Sequence, residues 1–180
     1  MFTWFVKRRL DEFQRDWNYD LDYAREMLDA GGIEAVMPMW SLEKISAYRR
    51  DCPRDAYHAA RIVAARAADC GPCLQLSVRM AEREGMAAQM ITAVLTHDRA
   101  AMTDDVRLAY DFARAVLARD GWDQPARERI VERFGRRALI ALSYGIALAG
   151  FYPAFKYAYG AAHACQRIAV GSSEVAPLPV

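Results

Sequence analysis

The sequence predicts an all-α fold in a single domain, and three observations carry that expectation. Apolar residues recur three and four positions apart along most of the 180-residue chain, and no stretch alternates with the two-residue period of a strand. Helix starts and stops punctuate the pattern, with prolines at first turns and glycines after last apolar positions. Residues 138–150 run for thirteen positions without a charge, which suits a helix buried at the centre of a bundle, since crossing a bilayer takes about twenty. The chain is long enough for one core of its own. Residues 1–50 read as a helical extension packed on the core, 51–170 as the helical core, and 171–180 as a flexible tail.

In order along the chain, residues 10–17 are mixed in character, and Asn18 or Asp20 is expected to cap a helix that stops at Gly31-Gly32. Leu21, Ala24, Met27 and Leu28 form its apolar stripe. Met37-Pro38 interrupts the next apolar stretch, and residues 41–50 resume it as a short helix with Leu42, Ile45 and Tyr48 inward. Nothing in this first quarter points to catalysis; Met39 and Trp40 read as core. Phe2, Trp4 and Phe5, beside Lys7, Arg8 and Arg9, read as core or subunit contact, because the run is too short for a strong amphipathic helix at a membrane surface.

Cys52-Pro53 opens an alanine-rich helix through Ala68, with His58, Ile62, Ala65 and Asp69 along one face. Residues 74–84 form the next helix, stopped by Gly85, and residues 86–96 another, with Met90, Ile91, Val94 and Leu95 inward. His97-Asp98 reads as a cap or surface pair. Thr103 with Asp104 and Asp105 is an N-cap followed by acidic residues that suit the helix dipole. That helix runs to Arg119 and ends at Asp120-Gly121, and Asp123-Gln124-Pro125 starts one that closes near Gly135. After the uncharged helix, Pro153 is expected to break the chain, and residues 154–169 to form the last helix, with Phe155, Tyr159 and Ala162 on its apolar side and Lys156 and His163 elsewhere.

Net charge is +1 with acids and bases interspersed, so no field exists to hold nucleic acid by its phosphates. The arginine pairs at 49–50 and 136–137 read as solvated helix faces. A hydrophobic content of 54% is high for a soluble protein, and a homo-oligomer that buries some of it is expected. At the N-terminus the basic residues follow the apolar run when a signal peptide would need them first, so the expected location is the cytoplasm, with no membrane partner.

The chemistry concentrates at Cys70-Gly71-Pro72-Cys73. Pro72 fits only the first turn of a helix, which makes Asp69 or Cys70 the N-cap. Cysteines at i and i+3 share a helix face at a separation compatible with a disulfide. The unpaired N–H groups and dipole at that end favour an anion, so a thiol there ionises more readily than a free one. In a reducing compartment such a pair reads as catalytic in place of a structural staple. A structural zinc site needs four ligands, and His58, His97 and His163 are scattered, so neither metal nor organic cofactor is expected. Cys52 and Cys165 read as structural, with Cys165 also open to a role as an extra resolving thiol. The Cys-Gly-Pro-Cys of thioredoxin follows a β-strand; here an alanine-rich helix precedes it, so the scaffold differs.

Residues 57–159 resemble the alkylhydroperoxidase D-like and carboxymuconolactone decarboxylase superfamily. The resemblance lies in the small-residue helix leading into Ala68-Asp69-Cys70-x-x-Cys73, in Ala81-Glu-Arg-Glu-Gly85-Met, in Tyr110-x-Phe112-Ala113-Arg114, and in residues 151–160. It implies an all-helical protein that associates as dimers, trimers or hexamers, and in the redox branch a cysteine pair that reduces peroxides or passes electrons from a dithiol donor of lipoyl or thioredoxin type. The family's peroxidase motif carries a histidine four places after the second cysteine, where this chain has Ser77, and a glutamate about twelve places before the first, where it has His58. The resemblance therefore makes His58 a candidate base, with Asp69 and Ser77 as local supports of Cys70 and Cys73. Its peroxide-reducing members attack with the second cysteine, whereas helix-terminus electrostatics favour the first, and both orders stand at this point.

The expected function is a thiol–disulfide or peroxide-reducing oxidoreductase. The alternative is a non-catalytic helical oligomer, or a small-ligand-binding protein that has lost the family's proton relay. A third reading is decarboxylation or lactone chemistry using His58 or His97, against which the retained cysteine pair argues.

Overall fold

The computed structural model describes residues 2–119, 121, 123–162 and 167–179, with Phe2 described by its backbone alone. Asp120, His163 and Cys165 lie outside the described residues. The fold is all-α. Its helices are α1 (Phe2–Trp17), α2 (Asp22–Ser46), α3 (Arg54–Ala67), α4 (Gly71–Arg83), α5 (Ala88–Leu95), α6 (Asp104–Ala118), α7 (Asp123–Phe134) and α8 (Arg136–Tyr159). An antiparallel hairpin follows, β1 (Ile168–Val170) with β2 (Ser173–Val175), in which Ala169 faces Glu174.

Helix α3 is central because its side chains are small. Ala56, Ala59, Ala60, Ala64 and Ala65 are all buried, and they let α6, α8 and α4 pack closely around one helix. Ile62 and Val63, between the alanines, supply the larger apolar surface, about 2 kcal/mol each when fully buried. On α8 the matching small residue is Gly145, whose backbone lies against Tyr57 and Arg61 of α3.

The buried side chains fall into two groups. The larger joins α3, α5, α6, α7, α8 and the hairpin; the smaller gathers Val6, Leu10, Tyr19, Tyr23, Leu28 and Val36 from α1, α2 and the turn between them. Helix α4 lies between them. Leu74, Val78 and Ala81 enter the larger group, and Leu76 packs on the smaller.

Some predicted boundaries hold and others move. Thr103 caps α6 as expected, its hydroxyl oxygen accepting the Val106 N–H. The N-terminal run, expected to be too short for an amphipathic helix, belongs to a 16-residue one; it buries Val6 and Leu10 and leaves Trp4 and Phe5 exposed in the single chain. The expected stop at Gly31-Gly32 holds as a break inside α2: Gly32, at φ 66° and ψ −162°, leaves helical geometry and separates two helical segments, the second of which continues through Pro38 to Ser46.

Pro153 likewise does not break α8, which runs for 24 residues and ends at Gly160 in the left-handed conformation. Proline in an unsupported helix interior costs about 3 kcal/mol; here Ala149, Pro153 and Lys156 are buried on the packed side of α8, and that packing offsets it. Because α8 continues through Pro153, it is long and apolar enough to cross a bilayer by length and composition, so chain length alone does not exclude it as a span. Its inner face packs on α2, α3, α4 and α7, while Ile140, Tyr144 and Phe151 are exposed on the outer one.

The C-terminal segment differs most from expectation. The last helix ends at Tyr159, and residues 173–175 pair as a strand. The Leu178 N–H donates to the Leu95 carbonyl at 2.9 Å, and Arg66 donates to the carbonyls of Pro177 and Leu178. These bonds anchor a segment read from its sequence as a flexible tail.

Candidate active site

Helix α3 ends at Ala68, and Asp69 turns the chain with φ 47°, a left-handed conformation that aspartate tolerates better than most residues. Cys70 then takes extended backbone angles as the N-cap of α4, with Pro72 in the first turn. The Leu74 N–H bonds back to the Cys70 carbonyl at 2.9 Å. The two sulfurs thus sit at the positive end of α4. Both are free thiols, and both are buried, Cys70 at 1% exposure and Cys73 at 7%.

Their acidities are pushed apart. A hydrogen bond from the Cys73 thiol, opposed by burial and helped by the Cys73 backbone N–H and by Lys156, brings Cys70 down to about 7. The same bond to Cys70, reinforced by burial, raises Cys73 well above the usual thiol range. The proton therefore leaves Cys70 before Cys73.

Two segments cover the pair. The turn between α1 and α2 carries Tyr19, whose hydroxyl lies 3.8 Å from the Cys73 sulfur. That turn is clamped on α4 by Arg79, which donates to the carbonyls of Trp17 (2.7 Å) and Asn18 (2.6 Å), while Arg83 stacks over the Trp17 ring. From α8, Lys156 reaches inward at 3% exposure and donates to the Tyr19 oxygen at 3.3 Å. Its ammonium also faces the rings of Tyr19 and Tyr23. Burial and the neighbouring acids raise both tyrosine hydroxyls above their ordinary range. Tyr157 donates to the Asp69 carbonyl at 2.8 Å, covering the approach to Cys70. A cavity of about 480 Å³ lined by Asp16, Trp17, Asn18, Arg79, Glu82 and Arg83 opens beside the turn, not onto the sulfurs. Under this cover little of either sulfur is open to solvent.

No family model, curated protein or solved structure matches this chain.

The other residues singled out from sequence are distributed differently. Ser77 is buried one turn after Cys73 and donates to the Cys73 carbonyl at 3.0 Å, so its proton is committed to the backbone. Asp69 borders the pair, but its carboxylate pairs with Arg66 at 3.1 Å, and its charge opposes ionisation of Cys70. His58 stands away from the cysteines. Its Nε2 lies 3.0 Å from Glu84 Oε2 at the opposite end of α4, eleven residues beyond Cys73 in chain count, or about 16 Å of helical rise. The contact is poorly aligned, and neither ring nitrogen has a well-directed partner. With 0% exposure, His58 is held below the usual histidine range, chiefly by burial. This geometry gives it no contact with a thiol proton.

Arg49, expected on a solvated face, bonds Glu84 and stacks over Tyr57. His97 packs its ring on Tyr110, and Asp98 accepts the Ala101 N–H, in keeping with a cap. Cys52 is half-buried, with its thiol pushed up to about 12 chiefly by burial. Among the described residues no group of three His, Cys, Asp or Glu converges as metal ligands do.

Sequence reasoning missed Tyr19, Tyr23 and Lys156. A signal existed for the lysine, the one charge between Arg137 and Arg167; a lone cation in so apolar a stretch marks a buried partner. No comparable signal marks Tyr19.

Proposed function

We propose that this protein is a thiol oxidoreductase whose reacting pair is Cys70 and Cys73, acting on a peroxide or a disulfide. The observation that carries the reading is the placement of two free thiols, three residues apart, on the first turn of α4 beside the Tyr19 hydroxyl and the buried Lys156, with Cys70 the more acidic of the two. The Cys70 thiolate attacks. A peroxide ROOH yields the Cys70 sulfenic acid and RO⁻; a disulfide RSSR yields a mixed disulfide and RS⁻. The Cys73 thiol gives its proton to that leaving group and attacks the Cys70 sulfur, forming the Cys70–Cys73 disulfide and releasing hydroxide (water after protonation) or the second thiolate. A dithiol donor, of lipoyl or thioredoxin type, returns two electrons and two protons.

This reading agrees with the alkylhydroperoxidase D-like resemblance in its residue pair and departs from it in the attacking sulfur and in the absence of a His58 contact. The uncharged outer face of α8, with Ile140, Tyr144 and Phe151 exposed, supports self-association, and a reducing cytoplasm suits the chemistry. Burial of both sulfurs favours a second reading, in which the cysteines are core residues of a non-catalytic helical protein.

Thiol counting separates the two. Reduced protein is mixed with hydrogen peroxide or a small disulfide, with dihydrolipoamide as donor. Loss of two thiols per chain with sustained turnover, abolished in Cys70→Ser, supports the oxidoreductase. Consumption no faster than in the Cys70→Ser, Cys73→Ser double variant overturns it.

A further inference from the structure

We infer that Lys156 and Tyr19 are positioning residues for the dithiol, forming a directed chain that runs from the Lys156 N–H to the Tyr19 O–H, to the Cys73 S–H and on to the Cys70 thiolate. This rests on Cys70 and Cys73 being the reacting pair.

The donor at the far end sets the direction. Lys156 has only protons to give, and one of them points at the Tyr19 oxygen at 3.3 Å. The Tyr19 hydroxyl lies 3.8 Å from the Cys73 sulfur, a contact in which either atom can donate; with the Lys156 proton on its oxygen, the inferred chain has the hydroxyl give its own proton to that sulfur. The Cys73 proton in turn faces Cys70. Every link donates toward the sulfurs, and such chains polarise one another.

Charge gives a second, independent reason. Lys156 is 3% exposed and pairs with no carboxylate among the described residues. A buried ammonium needs a compensating anion or a rich set of acceptors. Two aromatic faces and one hydroxyl supply part of that, and the acid next along the chain of contacts is the cysteine pair. The remaining titratable groups around the pair do not replace it. Tyr23 and Tyr152 are buried phenols held protonated, Tyr157 donates to the Asp69 carbonyl, and Asp69 and Arg66 pair with each other. Helix α5 and strand β1 carry no titratable side chain.

The pair serves both halves of the reaction. Before attack it stabilises the Cys70 thiolate through Cys73. Once the Cys70 sulfur is bound to a substrate fragment and the Cys73 proton has gone to the leaving group, the Tyr19 O–H donates to the new Cys73 thiolate with the Lys156 charge behind it.

The test is the pH dependence of Cys70 alkylation by iodoacetamide, read by peptide mass spectrometry, in wild type, Lys156→Met and Tyr19→Phe. Lys156→Met is expected to move the alkylation midpoint up by about one pH unit, slowing the reaction about fivefold at pH 7. Tyr19→Phe is expected to move it less in the same direction and to slow disulfide closure after Cys70 has reacted. Wild-type profiles in both folded variants overturn the inference. If Lys156→Met fails to fold, Tyr19→Phe, which removes one oxygen, decides alone: a shifted profile supports the inference and an unchanged one overturns it. The measurement needs no substrate. Shifted profiles without turnover in the wild type remove the proposed function and keep this pair; turnover with unmoved profiles does the reverse.

Discussion

Lys156 Nζ sits 3.3 Å from the Tyr19 oxygen, a bond that spans 137 residues of sequence. It ties the end of α8 to the turn between α1 and α2 directly over the first turn of α4. The dithiol therefore lies where the α1–α2 turn, α4 and α8 meet.

Removing either sulfur has unequal consequences. In Cys73→Ala, Cys70 loses the hydrogen bond that is the main cause of its low pKa, and its thiolate absorbance midpoint is expected to rise from about 7 toward the free-cysteine range. In Cys70→Ala, Cys73 stays slow to alkylate at pH 7, because burial still opposes its ionisation. Titration at 240 nm checks the first, and alkylation at fixed pH the second. Equal reactivity of the two single variants would contradict the division of labour.

Acid stability is set at the other end of α4. Burial opposes ionisation of Glu84, but the Arg49 and His58 contacts outweigh it and hold the carboxyl at about 2. A depressed carboxylate contributes stability above its unfolded value of about 4.5, lost as pH falls toward 2. With the side chain 37% exposed, solvent screening limits the contribution to about 1 kcal/mol. His58, also depressed, binds its proton more readily unfolded than folded, so its term is present above about 6.5 and is lost as pH falls below that value. Urea unfolding from pH 7 to 3 is expected to show both steps, and Glu84→Gln to lose the lower one. A variant curve parallel to wild type throughout would exclude this role.

Two glycines of α8 answer oppositely to alanine. A Cβ at Gly145 would stand 2.9 Å from Tyr57 Cε2 and 3.2 Å from Arg61 Cγ, against a fully buried ring that has no room to retreat. Gly145→Ala is expected to cost about 1–2 kcal/mol, overpacking outweighing the gain in helix propensity. At Gly150 nothing lies within 4 Å, and Gly150→Ala is expected to stabilise by up to about 1 kcal/mol. Denaturant midpoints with the same sign for both would refute the close α3–α8 approach.

The C-terminal segment is expected to contribute to stability. Deleting residues 172–180 removes β2, the Leu178–Leu95 bond and the carbonyls that Arg66 uses. At about 1 kcal/mol per bond net of water, the truncated chain should lose about 2–3 kcal/mol in urea unfolding. An unchanged midpoint would mean that these contacts are not formed in solution.

The helices were legible because their causes are local. The Thr103 cap, the Cys70 N-cap and the alanine face of α3 are written in consecutive residues. What was not legible came from tertiary support. Pro38 and Pro153 carry local stop signals, yet the chain stays helical through both, at Pro153 with packed neighbours on the inner face. The hairpin of β1 and β2 is three residues a side, too short for a periodic pattern to register, and is held by Gln75 and Glu82 from α4. At the candidate site, Cys70, Cys73 and Ser77 fall close together because they share one helix. His58 shares a face of α3 with the approach to the cysteines but lies several turns away along it. Tyr19 and Lys156 meet only because two distant segments dock on α4.

The sealed ammonium of Lys156 also bears on the direction in which electrons run. In the proposed cycle, joining the sulfurs would remove their negative charge while the lysine stays behind, so the interior would be better balanced with the pair open than with it bridged. Under that proposal the couple would have a raised reduction potential, and modest donors would suffice to reopen it.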